Sequence, residues 1–397
     1  MYILAGAVLL FGLVPFLAVR LYATRVARAN ESVPDRLHRL ERLQQVTSFS
    51  LPILSILAVF QFGLIERITA GLESIAPGIS TLPGADSVLS VAVIFAMATL
   101  PIIGVVLGLY PTTRSLRDTS ASPFRVVRNT VAGIAMTAVV IGLAVGGILA
   151  ITSVVGSSLP VLIGGVCLVI FAVFGLTPYL IVLFQDRVPL EGARRDRIER
   201  LCGDLGYEPR GLYLLEGEST KTANAMVAGT VPGLRYVFLT DYLLEECSDD
   251  ELRAILAHEF GHVAGRHLWQ RGLLTVGVIV AAVVAAEPLG ITALEAQFGF
   301  AGFFVPVMAG YIVYHVFLLG GLAYWQEYRA DAYAARHAGP DATANALKVL
   351  ATANDSTREA GLLYSLATHH PPIAARVEAV QRSADDLEAD SGSATGG

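Results

Sequence analysis

Length, composition and charge place this chain among membrane proteins. Its 397 residues are 54% hydrophobic and only 16% charged, whereas ordinary soluble domains carry roughly 25% charged residues. That much apolar surface exceeds what a single soluble core would bury, so a polytopic membrane protein is predicted. The net charge of −6 and the lack of a block of basic residues argue against a nucleic-acid partner. Three cysteines without C-x-x-C spacing argue against a disulfide framework or a cysteine-based zinc site.

Seven apolar runs approach or exceed the roughly 20 residues that a helix needs to cross a 30 Å hydrocarbon layer. They cover residues 2–20, 47–65, 87–110, 130–153, 159–184, 272–288 and 299–320. The first run has no positive residues before it and is followed by arginines, so we interpret it as a retained helix rather than a signal peptide.

Arginines alternate between the predicted loops. Six of them lie in residues 20–46 and four lie in residues 111–129, whereas the three loops on the other side hold one arginine between them. Because loops rich in arginine and lysine stay in the cytosol, the N-terminus is predicted outside. Residues 185–271 and 321–397 are then predicted to face the cytosol.

The segment between the fifth and sixth runs has the pattern of a small α+β domain. The stretch "ARRDRIERLCGDLGYEP" predicts an amphipathic helix that ends near Gly206, and three short strands are predicted in "GLYLLEGES", "NAMVAGTVPG" and "LRYVFLTD". Ser248 and Glu251 form an S-x-x-E capping box, which predicts the start of a helix. After the seventh run, a helix is predicted as far as Gly339 and Pro340, followed by two short helices.

The helix that begins after Ser248 carries the sequence "HEFGH". His258 and His262 are four residues apart, so both rings project from one face and can bind a single ion. Glu259 stands between them, where it can act on water without being a ligand. The alternative is a surface helix with scattered polar residues.

A catalytic zinc site needs a third protein ligand and an open position. Glu327 is the candidate, and Asp331 follows one turn later, where it could accept the free ring N–H of a ligating histidine. An E-x-x-x-D pair is weak on its own, since any solvated helix could contain one. Its position is more informative. The pair directly follows the seventh run and HExxH directly precedes the sixth, so both motifs are predicted on the same face of the membrane.

Four other histidines also call for an interpretation. His267 is five residues beyond His262, on the wrong face for the same ion, and is predicted to lie at the membrane interface. His315 lies in the middle of a predicted span, where a polar side chain is costly, and is a candidate functional residue. His369 and His370 are adjacent, and the residues alone do not choose between them.

The motifs together resemble a known family. HExxH at 258–262, E-x-x-x-D at 327–331, "NAMVAG" at 224–229 and "HPPIAARV" at 370–377 are similar to those of the integral-membrane zinc metallopeptidases that include HtpX and the CAAX prenyl endopeptidases. The resemblance covers about residues 195–385 and keeps the order of the motifs and the intervening spans.

The resemblance implies one zinc ion per chain and a set of roles. The implied metal ligands are His258, His262 and Glu327. The implied catalytic residues are Glu259 as the general base, Asp331 as a residue that contacts a ligand, and His370 and Arg376 as residues that stabilise the oxyanion and the site. The implied substrate-binding strand contains Asn224 and Ala225. His370 rather than His369 is favoured by the family spacing to Pro371 and Arg376.

The resulting expectation is a mainly α polytopic membrane protein with about seven transmembrane helices and a small cytosolic α+β gluzincin catalytic domain. Its parts are a five-helix region at 1–184, a cytosolic catalytic segment at 185–271, helices six and seven at 272–320, C-terminal catalytic helices at 321–387 and a disordered acidic tail at 388–397. The number of copies in the assembly is left open.

The expected function is a metalloendopeptidase in the lipid bilayer that acts on membrane-associated proteins at the cytosolic face, as in HtpX-like quality control. A CAAX-type endopeptidase that processes lipidated C-termini is the alternative, since five spans precede the catalytic segment. An inactive membrane scaffold or transporter is an alternative of another class. The sequence argues against it, because every position that the chemistry needs carries a suitable residue.

The tryptophans suggest the depth of the site. Trp269 and Trp325, the only two in the chain, fall at the junctions with the sixth and seventh runs, and indoles prefer headgroup depth. If the helix from Asp249 continues into the sixth span, His262 lies roughly 15 Å from the apolar run. The ion is therefore expected at or just inside the cytosolic interface.

Overall fold

A computed structural model of the protein describes residues 6, 8–75, 78, 85–156, 158–184, 187–229, 233–286, 288–354 and 361–382. The predicted acidic tail at 388–397 lies outside these residues. The first part of the chain is helical, with a π-helical turn at Leu9–Leu13 followed by α1 (Val14–Ala27), α2 (Val33–Gln61), α3 (Leu64–Ile75), α4 (Ala85–Arg117), α5 (Pro123–Val155) and α6 (Leu159–Phe184).

A four-stranded sheet follows these helices. Its elements are β1 (Arg187–Pro189), α7 (Gly192–Asp204), β2 (Gly211–Leu215), β3 (Ala225–Ala228), β4 (Tyr236–Thr240) and the short α8 (Asp241–Glu246). The strand order is β1-β2-β4-β3, with β2 parallel to β4 and the other two pairings antiparallel. The predicted amphipathic helix and three strands are therefore confirmed, and β3 lies at an edge. The exposed three-residue strand β1 was not predicted, because it has no alternating apolar pattern.

The sheet and two helices share one hydrophobic core. Every residue of β4 is buried, and Val237 and Leu239 pack with Ile198 and Cys202 of α7. Leu256, from the helix that follows α8, is in the same core. Burial of each of the larger aliphatic side chains contributes roughly 1.5–3 kcal/mol to the stability of the fold. The HExxH helix is thus anchored to the sheet along its apolar face.

This HExxH helix, α9 (Asp249–Ala264), begins at the predicted capping box. The Ser248 hydroxyl accepts a hydrogen bond from the Glu251 N–H, and the Glu251 carboxylate accepts one from the Ser248 N–H. The expectation that α9 continues into the sixth span is wrong. Arg266 has a left-handed backbone (φ 53°), which an uninterrupted α-helix does not allow, and a separate helix begins at His267.

The remaining helices are α10 (His267–Ala285), α11 (Ile291–Phe298), α12 (Phe300–Ile312), a π-helical segment (Val313–Leu319), α13 (Gly320–Ala338), α14 (Pro340–Ala353), α15 (Leu362–Thr368) and α16 (373–382). The end of α13 before Gly339 is as predicted. Three helices rather than two follow it in the described part of the chain. The prediction missed one because α15, with seven residues, is too short for a clear periodicity.

The chain forms two compact units, Met1–Ala138 with Ala285–Ala309 and Val139–Val284 with Gly310–Gly397. In the first unit, α1 and α2 pack against α4. Val19 of α1, Leu40 of α2 and Leu109 of α4 form a buried cluster there. In the second unit, α9 packs against α13 and α14, so the two helices that carry the motifs are neighbours.

Five helical stretches in the described residues are long and apolar enough to cross a membrane. They are Leu9–Ala27, Val33–Gln61, Val93–Arg117, His267–Ala285 and Phe300–Ala338. The other two predicted runs lie in α5 and α6, helices of 33 and 26 residues. The predicted count of seven spans is not confirmed, and it stays a prediction.

Candidate metal centre

Three side chains with metal-binding atoms converge between α9 and α13. The two histidine Nε2 atoms, of His258 and His262, are 3.1 Å apart. Glu327 on α13 places Oε2 3.6 Å from His258 Nε2 and Oε1 3.5 Å from His262 Nε2. Among the described residues these three form a group whose ligand atoms all lie within 4.8 Å of one another.

The spacing of these atoms fits a four-coordinate zinc ion. Zinc binds imidazole nitrogen and carboxylate oxygen at about 2.0–2.1 Å in tetrahedral geometry, which sets neighbouring ligand atoms about 3.3–3.4 Å apart. The observed separations of 3.1, 3.5 and 3.6 Å lie around that value. Two imidazoles and one carboxylate leave a fourth position open, as a catalytic zinc site requires.

A close approach of α9 and α13 allows this convergence. Gly261 lies in the middle of the HExxH motif and faces α13. A Cβ at this position would lie 3.0 Å from the Tyr333 Cβ and 3.1 Å from the Ala330 Cα, closer than ordinary van der Waals contact. The glycine therefore brings the histidines of α9 within reach of Glu327.

Asp331 orients His258 from one turn beyond Glu327. Its Oδ1 is 2.9 Å from His258 Nδ1, so that this nitrogen carries the proton and Nε2 keeps its lone pair for a metal. Asp331 is 2% exposed. The contact predicted between Asp331 and a ligating histidine is present.

Arg376 balances the charge of two buried carboxylates. Its Nε and Nη2 atoms donate to the two Asp331 oxygens, each at 2.7 Å, and its Nη1 is 3.0 Å from Glu327 Oε2. Burial opposes the positive charge, but Asp331 raises the pKa of Arg376 above its usual value. The guanidinium thus stays charged and fixes both acidic side chains of α13.

Burial also sets the protonation of the α9 side chains. It lowers the pKa of His262 to about 3, so this ring is neutral at physiological pH, the form that binds metal. Burial opposes protonation of His258 as well, but the Asp331 carboxylate, which accepts the Nδ1–H hydrogen bond, and the negative charge of Glu327 together outweigh it and raise the pKa of His258. Burial raises the pKa of Glu259, as expected for a carboxyl group that exchanges protons near neutral pH.

Glu259 lies beside the edge strand β3. The Val227 N–H donates to Glu259 Oε2 at 3.4 Å, so this N–H group points away from β4. Because successive residues of a strand alternate in direction, the main-chain groups of Ala225 point to the same side. Asn224 faces β4 instead, since its N–H and C=O both bond to Thr240. Only its exposed side chain is left to meet a substrate.

The two adjacent histidines take different positions. His370 Nδ1 lies 3.4 Å from Glu327 Oε2, and this side chain is 66% exposed. His369 ends α15 in a left-handed conformation, and its Nε2 lies 3.2 Å from the His315 carbonyl oxygen. His370 is thus the neighbour of a candidate ligand. His315 contacts the rings of His369 and Tyr311 and is not part of the three-ligand group.

His267 makes a contact that the sequence did not indicate. It is 2% exposed, and its Nδ1 lies 2.8 Å from His262 Nδ1. Its predicted position at the membrane interface stays a prediction. The turn at Gly265 and Arg266 folds the start of α10 back onto the end of α9. In a continuous helix a residue five positions on points to another face, so sequence spacing alone could not indicate this contact.

This geometry is that of a gluzincin-type centre, in which an HExxH helix and a glutamate from a second helix surround one ion. Residues 190–384 match the model of peptidase family M48, so this part of the chain is a peptidase M48 domain. The family and its boundaries agree with the resemblance stated from the motifs.

Curated relatives carry two kinds of name. A CAAX prenyl protease 1 homolog of Arabidopsis thaliana is 30% identical over 225 residues, which cover 51% of this chain and 51% of that protein. Protease HtpX of Pseudomonas syringae pv. tomato is 29% identical over 225 residues, covering 51% of this chain and 75% of that protein. The match thus spans about half the length of the plant relative.

The fold likeness extends beyond the peptidase domain. The crystal structure of S. mikatae Ste24p superposes with a TM-score of 0.60 at 21% identity, covering 74% of this chain and 75% of that one. This is more of the chain than residues 190–384 occupy, so the likeness includes part of the N-terminal helices. With its candidate spans and these relatives, the chain is an integral membrane protein.

Proposed function

We propose that this protein is a zinc metalloendopeptidase that hydrolyses peptide bonds of membrane-associated proteins. The observation that carries the proposal is the spacing of the donor atoms of His258, His262 and Glu327, 3.1–3.6 Å apart. Glu259 lies beside the edge strand β3, so a general base stands next to a strand edge that could bind an extended peptide. The match of residues 190–384 to the model of peptidase family M48 supports the same reaction.

The chain's own residues divide the work of hydrolysis. His258, His262 and Glu327 would hold the zinc ion, which when bound polarises carbonyl oxygens and acidifies water. Glu259 takes the proton of the attacking water and returns it to the leaving amine. His370, exposed beside Glu327, is placed to donate to the negative oxygen of the tetrahedral intermediate.

The edge strand β3 is suited to align the substrate. The main-chain groups of Ala225 and Val227 point away from β4, on the side where Glu259 lies. A peptide that adds to this edge would form main-chain hydrogen bonds that any sequence can make. Asn224 would contribute its side chain. We therefore expect broad sequence tolerance, with the extended conformation as the main requirement.

The membrane and the arginine distribution suggest where the substrates are. The loops rich in arginine favour an orientation with the N-terminus outside and the metal centre on the cytosolic side. Cytosol-facing membrane proteins, as in HtpX-like quality control, are then the proposed substrates. The second candidate is processing of lipidated C-termini, which is favoured by the similarity to a CAAX prenyl protease 1 homolog.

The test of the proposed function uses two substitutions in the purified protein. Glu259→Gln should abolish hydrolysis while bound zinc stays near one ion per chain, because Glu259 is a base and not a ligand. Glu327→Ala should lose both activity and zinc. Glu378→Gln is the control, since this glutamate is 71% exposed on α16. Metal content is measured by mass spectrometry and hydrolysis on a fluorogenic peptide.

The outcome decides between an enzyme and an inactive scaffold. Zinc-loaded wild-type protein without hydrolysis of any membrane or prenylated substrate would contradict the proposal and favour the scaffold. Loss of zinc in Glu259→Gln would mean that Glu259 is a ligand. Comparing a prenylated peptide with an unmodified transmembrane substrate separates the two candidate functions.

A further inference from the structure

His267 is a buried histidine that the proposed reaction does not use. It begins α10, is 2% exposed and directs Nδ1 to His262 Nδ1 at 2.8 Å. The two rings meet edge to face, with centroids 4.9 Å apart. A hydrogen bond is the interaction that such a distance allows between two imidazole nitrogens.

Metal binding by His262 fixes the direction of this bond. His262 Nε2 is the atom that faces His258 and Glu327, so it must keep its lone pair for the ion. The proton of neutral His262 is then on Nδ1, from which it can only be donated. His267 Nδ1 is therefore the acceptor, and the proton of His267 lies on Nε2. That Nε2 is buried without a hydrogen-bond partner among the described residues.

The start of α10 is held in place by groups next to the metal centre. The Gln326 side-chain amide, 0% exposed, donates to the His267 carbonyl oxygen at 3.2 Å and to Gln270 Oε1 at 2.9 Å. Gln326 directly precedes Glu327, so α13 positions a ligand and the backbone of His267 together. A Cβ at Gly265 would collide with the His267 ring. The ring thus occupies space that only a glycine at position 265 leaves open.

We propose that His267 is a positioning residue for the metal centre: it accepts the Nδ1–H hydrogen bond of His262 and so fixes the tautomer and ring orientation of that ligand. The inference rests on the proposed metal site. The two histidine ligands then have different partners, since His258 donates to the Asp331 carboxylate and His262 donates to a neutral imidazole. A ligand that donates to a carboxylate is the stronger base, so His262 is the weaker of the two.

The test separates the hydrogen bond from the packing of the ring. His267→Phe keeps a ring and removes the acceptor, whereas His267→Asn removes the ring and keeps an acceptor, Oδ1, near the position of Nδ1. His337→Phe is the matched control, since His337 is an exposed histidine at the end of α13. Zinc affinity of the full chain in detergent is measured by competition with a chromophoric chelator, and the Co²⁺ form by its visible absorption.

His267→Phe is expected to weaken zinc binding about 10–100-fold and to shift the Co²⁺ bands, with Asn and the control within about threefold of wild type. The thermal midpoint of each zinc-free variant reports folding, and His267→Leu replaces Phe if that variant does not fold. Wild-type affinity in the acceptor-free variant, or an equal loss in His267→Asn, would overturn the inference. Wild-type protein without stoichiometric zinc would instead overturn the proposed function.

Discussion

At the scale of single residues, the charges around the candidate metal centre are partly compensated before any ion binds. Glu327 and Asp331 are buried on one face of α13, where two unpaired carboxylates would be costly. Arg376, itself 7% exposed, reaches both of them. One guanidinium shared by two carboxylates leaves about one negative charge, which favours the binding of a cation. The centre is therefore prepared for an ion, and Arg376 carries part of its stability.

Removing this guanidinium should destabilise the zinc-free protein. Arg376→Ala leaves Asp331 and Glu327 buried without their partner, which costs about 3–5 kcal/mol in comparable buried pairs. Zinc should recover part of that loss by binding Glu327. The measurement is the thermal midpoint with and without zinc, and Arg382→Ala, at an exposed pair on the same helix, is the control. Equal midpoints for Arg376→Ala and the control would contradict the role assigned here.

The pair of adjacent histidines gives a second prediction at this scale. His370 lies next to Glu327, whereas His369 faces the backbone of His315. His370→Ala should lower kcat by on the order of 10²–10³, the usual effect of losing an oxyanion donor, and should leave zinc content unchanged. His369→Ala is the matched variant, with a smaller effect expected. A loss at His369 with none at His370 would mean that the other histidine acts in the reaction.

At the scale of elements, the centre depends on how closely α9 and α13 pack. Gly261→Val should push the helices apart, because even a Cβ would lie 3.0–3.1 Å from atoms of Tyr333 and Ala330. Overpacking of this kind costs about 1–3 kcal/mol, and a separation of the ligands should weaken zinc binding as well. Gly203→Ala on α7, where a Cβ meets nothing within 4 Å, is the control. Unchanged stability and zinc affinity in Gly261→Val would refute this account of the packing.

The sequence predicted those elements whose cause is local. The start of α9 follows from Ser248 and Glu251, which satisfy each other's backbone N–H groups, and the spacing of the HExxH residues follows from helical periodicity. Its end at Gly265 was not predicted, because a glycine alone is a weak stop signal and the left-handed residue is Arg266, a residue type that does not favour this conformation. The contact of Arg376 with Asp331 joins positions 45 residues apart, so only the family resemblance placed Arg376 near the site.

At the scale of the whole molecule, the metal centre adjoins two of the candidate spans. His267, which contacts the candidate ligand His262, is the first residue of the span His267–Ala285, and Glu327 lies inside the helical stretch Phe300–Ala338. The site thus lies next to the start of one candidate span and within the last part of another. Trp269 and Trp325 are 38% and 46% exposed at these positions, as expected for indoles at headgroup depth.

A site at this depth should prefer a scissile bond close to a membrane anchor. We expect the highest kcat/KM for a peptide joined to a lipid or transmembrane anchor by a few residues, measured in liposomes that contain the protein. The same anchored peptide with a flexible linker of about 30 residues, which spans roughly 30 Å, is bound to the membrane at the same concentration. Its scissile bond, however, can lie far from the membrane surface. It should be cleaved less efficiently, and the peptide without an anchor least of all. Glu259→Gln with the short-linked peptide controls for other peptidases, and equal kcat/KM for the three substrates would show that the site does not depend on the membrane.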